Sequence, residues 1–184
     1  MPEPSEPEPV VEFDPPAASV AWSPEFVAQT LEVLFVCLGP EGVRSLRPVH
    51  ADSLRLGWPP AAKPGELVVE AAARYGLRAL LVHSTSWRHE ESRVVITYLA
   101  VVEPPDELSP HLADEPDGRS DLARGDAFGP PPEIRVPHVL EHALRHLAWL
   151  VKDDAVVRDT LGDTWGASLE RYVPEPFRPL DSAR

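Results

Sequence analysis

The chain has 184 residues, 43% hydrophobic and 7% aromatic, with 23 Pro, one Cys, and 30 acidic against 17 basic side chains, a net charge of -13. That length suits one domain with appended tails, and one Cys excludes an internal disulfide framework or a Cys-rich zinc site. No apolar run approaches the roughly 18 to 20 residues of a membrane helix, and no basic stretch leads into an apolar one after Met1, so the expectation is a soluble, cytoplasmic protein without a membrane partner.

In chain order, residues 1–16 hold five acids, six Pro and no base, a charge of -5. Such a stretch cannot bury enough apolar surface to offset roughly 1 to 2 kcal/mol of ordering entropy per residue, and it reads as a disordered tail over 1–22. Ser23-Pro24-Glu25 offers a capping hydroxyl, a Pro at the first helical position and a first-turn acid, which predicts a short helix over 24–29. The apolar run 30–38 then reads as a strand, turned by Gly39-Pro40-Glu41-Gly42 into a second strand over 43–49 that Pro48 ends or places at an edge.

Residues 57–65 read as loop, and the Ala-rich run 66–75 as a helix that Gly76 stops. Runs 77–87 and 94–102 predict a second hairpin across a polar turn at 88–92, its second strand apolar enough to be buried on both faces. Residues 103–133 carry nine acids, two bases and seven Pro, a charge of -7, and read as an acidic linker or long loop over 104–133. Helices are expected over 136–151, over 155–161 behind an Asp153-Asp154 cap, and over 165–172, with a tail over 174–184. This order predicts an α+β core over 23–103, its mostly antiparallel or mixed sheet built from two hairpins with a packed helix, and a helical C-terminal part over 134–173.

The acidic stretches suit a protein partner, whereas nucleic acid is disfavoured because no basic stripe with interleaved aromatics is present. Fifteen Arg against two Lys, with abundant Ala, Pro and Val, is the bias of a GC-rich bacterial genome.

His138-Val139-Leu140-Glu141-His142 matches the H-x-x-E-H pattern, in which two His one turn apart ligate zinc and the Glu is the general base; His146 continues the spacing. On a helical wheel Leu140, Leu144, Leu147 and Val151 share one face, and His138, Glu141, His142, Arg145, His146 and Trp149 fall opposite. That placement favours a solvated face over a zinc site. A large aromatic among histidines makes His142, His146 and Trp149 an interface candidate for a protein partner. Cys37 reads as a buried small hydrophobe. His83, Thr85 and Trp87 share one face of a regular strand and predict a small polar patch.

Trp58-Pro59-Pro60 and Lys63-Pro64-Gly65-Glu66 lead into Glu70-Ala71-Ala72-Ala73-Arg74, with Tyr75-Gly76-Leu77 and a strand pair behind. Over roughly residues 30–103 this resembles a degenerate Nudix hydrolase segment. The resemblance implies an α+β fold with a ligand cleft. In that family a cluster of helix carboxylates holds magnesium, which bridges diphosphate oxygens and activates water. Here Glu66 and Glu70 remain, and Tyr75-Gly76 stands where the family continues with glutamates. The reading is a non-catalytic binding or regulatory domain that resembles a silent relative of that family, in the sense that its carboxylates are missing. The alternative is a metal-dependent hydrolase, with magnesium at Glu66 and Glu70 acting on nucleoside-diphosphate-type substrates, or with zinc at His138, Glu141 and His142.

Overall fold

The computed structural model describes residues 28–59, 61–90, 93–122 and 133–173. β1 (Ala28–Gly39) and β2 (Gly42–Pro48) form the first hairpin, turned at Gly42, whose φ of 123° favours glycine. β3 (Leu54–Gly57), α1 (Pro64–Arg74), β4 (Ala79–Glu90), β5 (Arg93–Val102), β6 (Leu112–Pro116), α2 (Val136–Asp153) and α3 (Ala155–Leu169) follow. The six strands make one open sheet in the order β4-β5-β1-β2-β6, with β3 pairing the N-terminal part of β1. Only β1 and β5 run parallel, the connection between them carrying α1 and β4. The fold is α+β with a mixed sheet.

β1 and β5 lie inside the sheet with helices on both faces, so both flanks of each strand are largely apolar. Leu34 and Val36 of β1, with Leu99 and Val101 of β5, pack on α2 and α3. Leu31, Val33, Phe35 and Cys37, with Ala100 and Val102, pack on the side of α1. The parallel register sets Leu34 beside Leu99, Phe35 beside Ala100 and Val36 beside Val101. This two-sided burial is why the run 94–102 is nearly continuous in apolar residues.

α1 opens on Pro64 and closes with the Gly76 N–H on the Ala73 carbonyl and the Leu77 N–H on the Ala72 carbonyl, both at 3.0 Å. Gly76 supplies the left-handed residue that this ending requires, with φ 75°. α2 buries Leu140, Leu144, Leu147 and Val151 against Val157, Leu161, Trp165 and Leu169 of α3. Asp154 caps α3, accepting from the Val156 and Val157 N–H groups at 2.8 and 3.2 Å. Gly162, at φ 73° and ψ 177°, divides α3 into two helical segments at the gap between the helices expected over 155–161 and 165–172, and the second segment ends at Leu169.

Four local expectations are corrected. Ala28 and Gln29 belong to β1 and not to a helix, while 24–27 lie outside the described residues, as do both tails. β3 precedes the loop where no strand was expected. The turn at 88–92 is mostly strand, because Arg88 and Glu90 are paired inside the sheet network and β4 runs through Glu90. The stretch 104–133 contains β6, which pairs with β2. Its acids find cross-strand bases: Asp114 accepts from Arg44 at 2.6 Å and Glu115 from Arg47 at 2.5 Å, while Leu112 is buried. Residues 123–132 of that stretch lie outside the described residues.

Candidate functional site

α2 carries its apolar residues at spacings of three and four and buries them on the sheet. His138, His142, His146 and Trp149 fall on a neighbouring stripe, which runs beside β4, an edge strand of the sheet. The structure brings this stripe and β4 together. The His146 ring lies edge-on to His83 of β4, with centroids 5.0 Å apart, and 5.6 Å from the Trp149 ring. Toward the start of α2, His138 and His142 line a cavity of about 240 Å³ with Trp87, Leu122, Ile134 and Val139. Trp87 and Trp149 are exposed at 68% and 47%. The seam between β4 and α2 thus forms a strip that runs from the cavity bordered by Trp87, His138 and His142 to the rings of His146, His83 and Trp149; the Trp87 ring itself packs edge-on against His89 of β4, with centroids 5.9 Å apart.

The register of β4 shifts between Ser84 and Ser86, which leaves Thr85 as the extra residue of a bulge. His83 is then opposite Leu99, in the core under α2 and α3, and Trp87 is opposite Ile96, on the side of α1. The expected common face of His83, Thr85 and Trp87 is therefore broken: regular alternation does not survive a bulge. The bulge also sets the Thr85 backbone near the His146 ring, where it favours the charged imidazole but is outweighed. Burial lowers the pKa of His146 below the ordinary imidazole value, and the neighbouring His83 and His142 lower it further.

Glu141 departs from its expected place. It is 1% exposed, and its carboxylate accepts two bonds from Arg119 at 2.9 Å, one from Arg145 at 2.7 Å and one from the Ser120 N–H at 3.3 Å. The wheel counted only α2; the loop after β6 returns across this side of the helix and covers it. Burial opposes ionisation of Glu141, but the hydrogen bonds from Arg119 and Arg145 outweigh it and hold the carboxyl below its ordinary range. Arg119 adopts a left-handed backbone, φ 57°, and its guanidinium lies 4.3 Å over the Tyr172 ring, whose hydroxyl donates to Asp117. His138 is engaged locally as well, its Nδ1 accepting from the Arg135 backbone N–H at 3.4 Å at the start of α2.

Glu66 and Glu70 lie on α1, across the sheet from α2, so the two carboxylate and imidazole sets do not form one site. Both side chains are largely exposed, Glu66 against Lys63 at 2.8 Å and Glu70 3.9 Å from Arg74. Among the described residues no three His, Cys, Asp or Glu side chains converge as metal ligation would require. Burial pushes the Cys37 thiol up to about 11, which suits a core residue and not a nucleophile.

A second cavity, of about 730 Å³, opens on the other side of the start of α2, between Arg47, Arg119, Arg135, Ile134 and Leu140. Arg47 and Arg119 spend their guanidinium groups on Glu115 and Glu141. Arg119 was not legible as a site residue, since it needs a loop to cross a helix, and Trp87 was legible only as part of the patch with His83 and Thr85 that the bulge breaks.

The structure is similar to that of the C. elegans Ap4A hydrolase, with a TM-score of 0.44 at 11% identity over 66% of this chain and 98% of that one. It is also similar to the E. coli ORF135 protein, with a TM-score of 0.31 at 15% identity over 48% of this chain and 74% of that one. No protein-family model and no curated protein matches the sequence. Likenesses of this order do not bear on activity.

Proposed function

We propose that the protein is a non-catalytic binding domain that docks a basic protein partner on the strip from Trp87 to Trp149. The observation that carries this reading is the exposure of two indoles, 68% and 47%, near the two ends of the seam between β4 and α2. Trp side chains are the commonest anchors of protein interfaces, since each buries a large apolar area at small conformational cost. Charge supports the sign of the partner. Residues 103–133 carry -7, and Leu122 and Ile134, within and just beyond the described part of that acidic stretch, both line the cavity of the strip. An acidic rim around aromatic anchors speeds encounter with a basic surface and loses that advantage as salt rises.

On this reading the Nudix-like middle of the chain is scaffold. Glu66 and Glu70 face solvent, and Glu141 is already saturated by guanidinium groups and a backbone N–H. Two measurements test the reading. In a thermal-shift panel of magnesium, zinc and nucleotides the midpoint stays flat; a ligand at 100 times its Kd would add about 2.7 kcal/mol, roughly 5 to 11 °C here, and such a shift overturns the non-catalytic reading. In cross-linking capture at low salt from the native host, a basic protein is retained by the wild type and lost from a Trp87→Ala, Trp149→Ala variant. Undiminished capture by that variant overturns the docking surface.

A further inference from the structure

His146 is held between two rings of the strip. Its ring abuts His83 across the seam at 5.0 Å and Trp149 on its own helix at 5.6 Å, beside the bulge at Thr85. A neutral imidazole packs between these rings without a charge to solvate. A protonated ring has a second N–H to place, and the surroundings supply bases. From β4 the facing titratable group is His83; from α2 it is His142, one turn back, while Arg145 is turned to Glu141 at 2.7 Å. Among the described residues no carboxylate of α3, or of any other element, acts on the ring to offset a positive charge.

We propose that the His83–His146 contact is a proton-sensitive latch: with neutral rings it holds the Trp149 end of α2 against the edge strand β4, and protonation opens it, so that docking on the strip is confined to neutral and alkaline pH. The docking half of this statement rests on the function proposed above; the latch does not. The sign follows from linkage. His146 is a base held below its ordinary value of 6.5 in the folded chain, so the unfolded chain binds its proton first as pH falls. The seam is at full strength above 6.5 and weakens as pH drops from there toward the folded midpoint.

The test is an NMR titration of the full chain between pH 8 and 5, read at the His146 ring and at the Trp149 indole N–H. The expected result is one midpoint below 6.5 shared by both signals, with faster amide exchange in β4 on the acid side. In His146→Gln the Trp149 signal no longer titrates with that midpoint. In His83→Gln the midpoint of His146 moves upward, since a repelling neighbour is gone. A Trp149 signal flat from pH 8 to 5, or one that titrates identically in His146→Gln, overturns the latch. If the latch titrates as expected and capture of the partner is unaffected by Trp149→Ala, the latch stands and the docking surface falls.

Discussion

Glu32 is a carboxylate on an interior strand with no solvent exposure, and its two oxygens accept from Arg88 at 2.7 and 3.0 Å, Ser53 at 3.0 Å, Thr97 at 3.2 Å and Arg55 at 3.3 Å. Burial alone would favour the protonated acid; the hydrogen bonds and charge of Arg88, then Ser53 and Arg55, overcome it and hold the carboxyl below its ordinary range. Removing one member of such a pair leaves a buried charge unbalanced, so Arg88→Met lowers stability by about 3 kcal/mol, measured by denaturant unfolding at pH 7. A Glu32→Leu, Arg88→Met double variant regains most of that loss, and a double variant as unstable as the single one would refute the pairing argument. Glu90, on the same two guanidinium groups, is held at about 2, chiefly by its hydrogen bond from Arg55. A carboxylate with a depressed folded value contributes fully above its unfolded value and loses that contribution as pH falls. The wild type therefore loses stability from about pH 4.5 down to about 2, and Glu90→Gln has a shallower slope in that window. None of this network was legible in the sequence, because Glu32 and Arg88 stand 56 positions apart and one acid in an apolar run carries no sign of its partner.

The elements were more legible than their joints. The end of α1 at Gly76, the cap at Asp154 and the two-sided burial of β5 follow from local rules of capping and periodicity. β3 and β6 escaped, because short strands take their stability from the strand beside them, β1 and β2 respectively, whereas the break in α3 was legible as the gap between the helices expected over 155–161 and 165–172. The bend is set by Gly162, where φ is 73° and an added Cβ meets nothing within 4 Å. Its obstacle to substitution is backbone strain alone, and Gly162→Ala lowers stability by about 1 kcal/mol. Gly166, four residues on in the same element, has helical backbone, and a Cβ there meets Val151 at an ordinary 3.9 Å. Gly166→Ala raises stability by about 0.5 to 1 kcal/mol, since it removes freedom from the unfolded chain without strain in the folded one. Paired thermal melts check both signs, and two changes in the same direction would refute the assignment of the bend to Gly162.

At the scale of the molecule, charge and rings are divided between different parts of the chain. The stripe His142, His146 and Trp149 could be picked out in advance because helical spacing aligns it; its continuation to His83 and Trp87 could not, since it depends on which strand forms the sheet edge and on a bulge within it. The excess of acid is carried by residues 1–16 and 103–133, and its field should govern how fast a partner arrives. Asp106, Glu107 and Asp121 are exposed residues of the acidic stretch. The variant Asp106→Asn, Glu107→Gln, Asp121→Asn removes three of the chain's 30 acids and should unfold within about 0.5 kcal/mol of wild type. Measured against the captured basic partner, its association rate falls and depends less steeply on ionic strength, while its dissociation rate stays that of the wild type. Trp149→Ala behaves in the opposite way, with faster dissociation and little change in association, because an anchor acts after contact and a field acts before it. If the charge variant altered dissociation alone, the acidic stretch would be part of the contact itself and the division between field and anchor would be wrong.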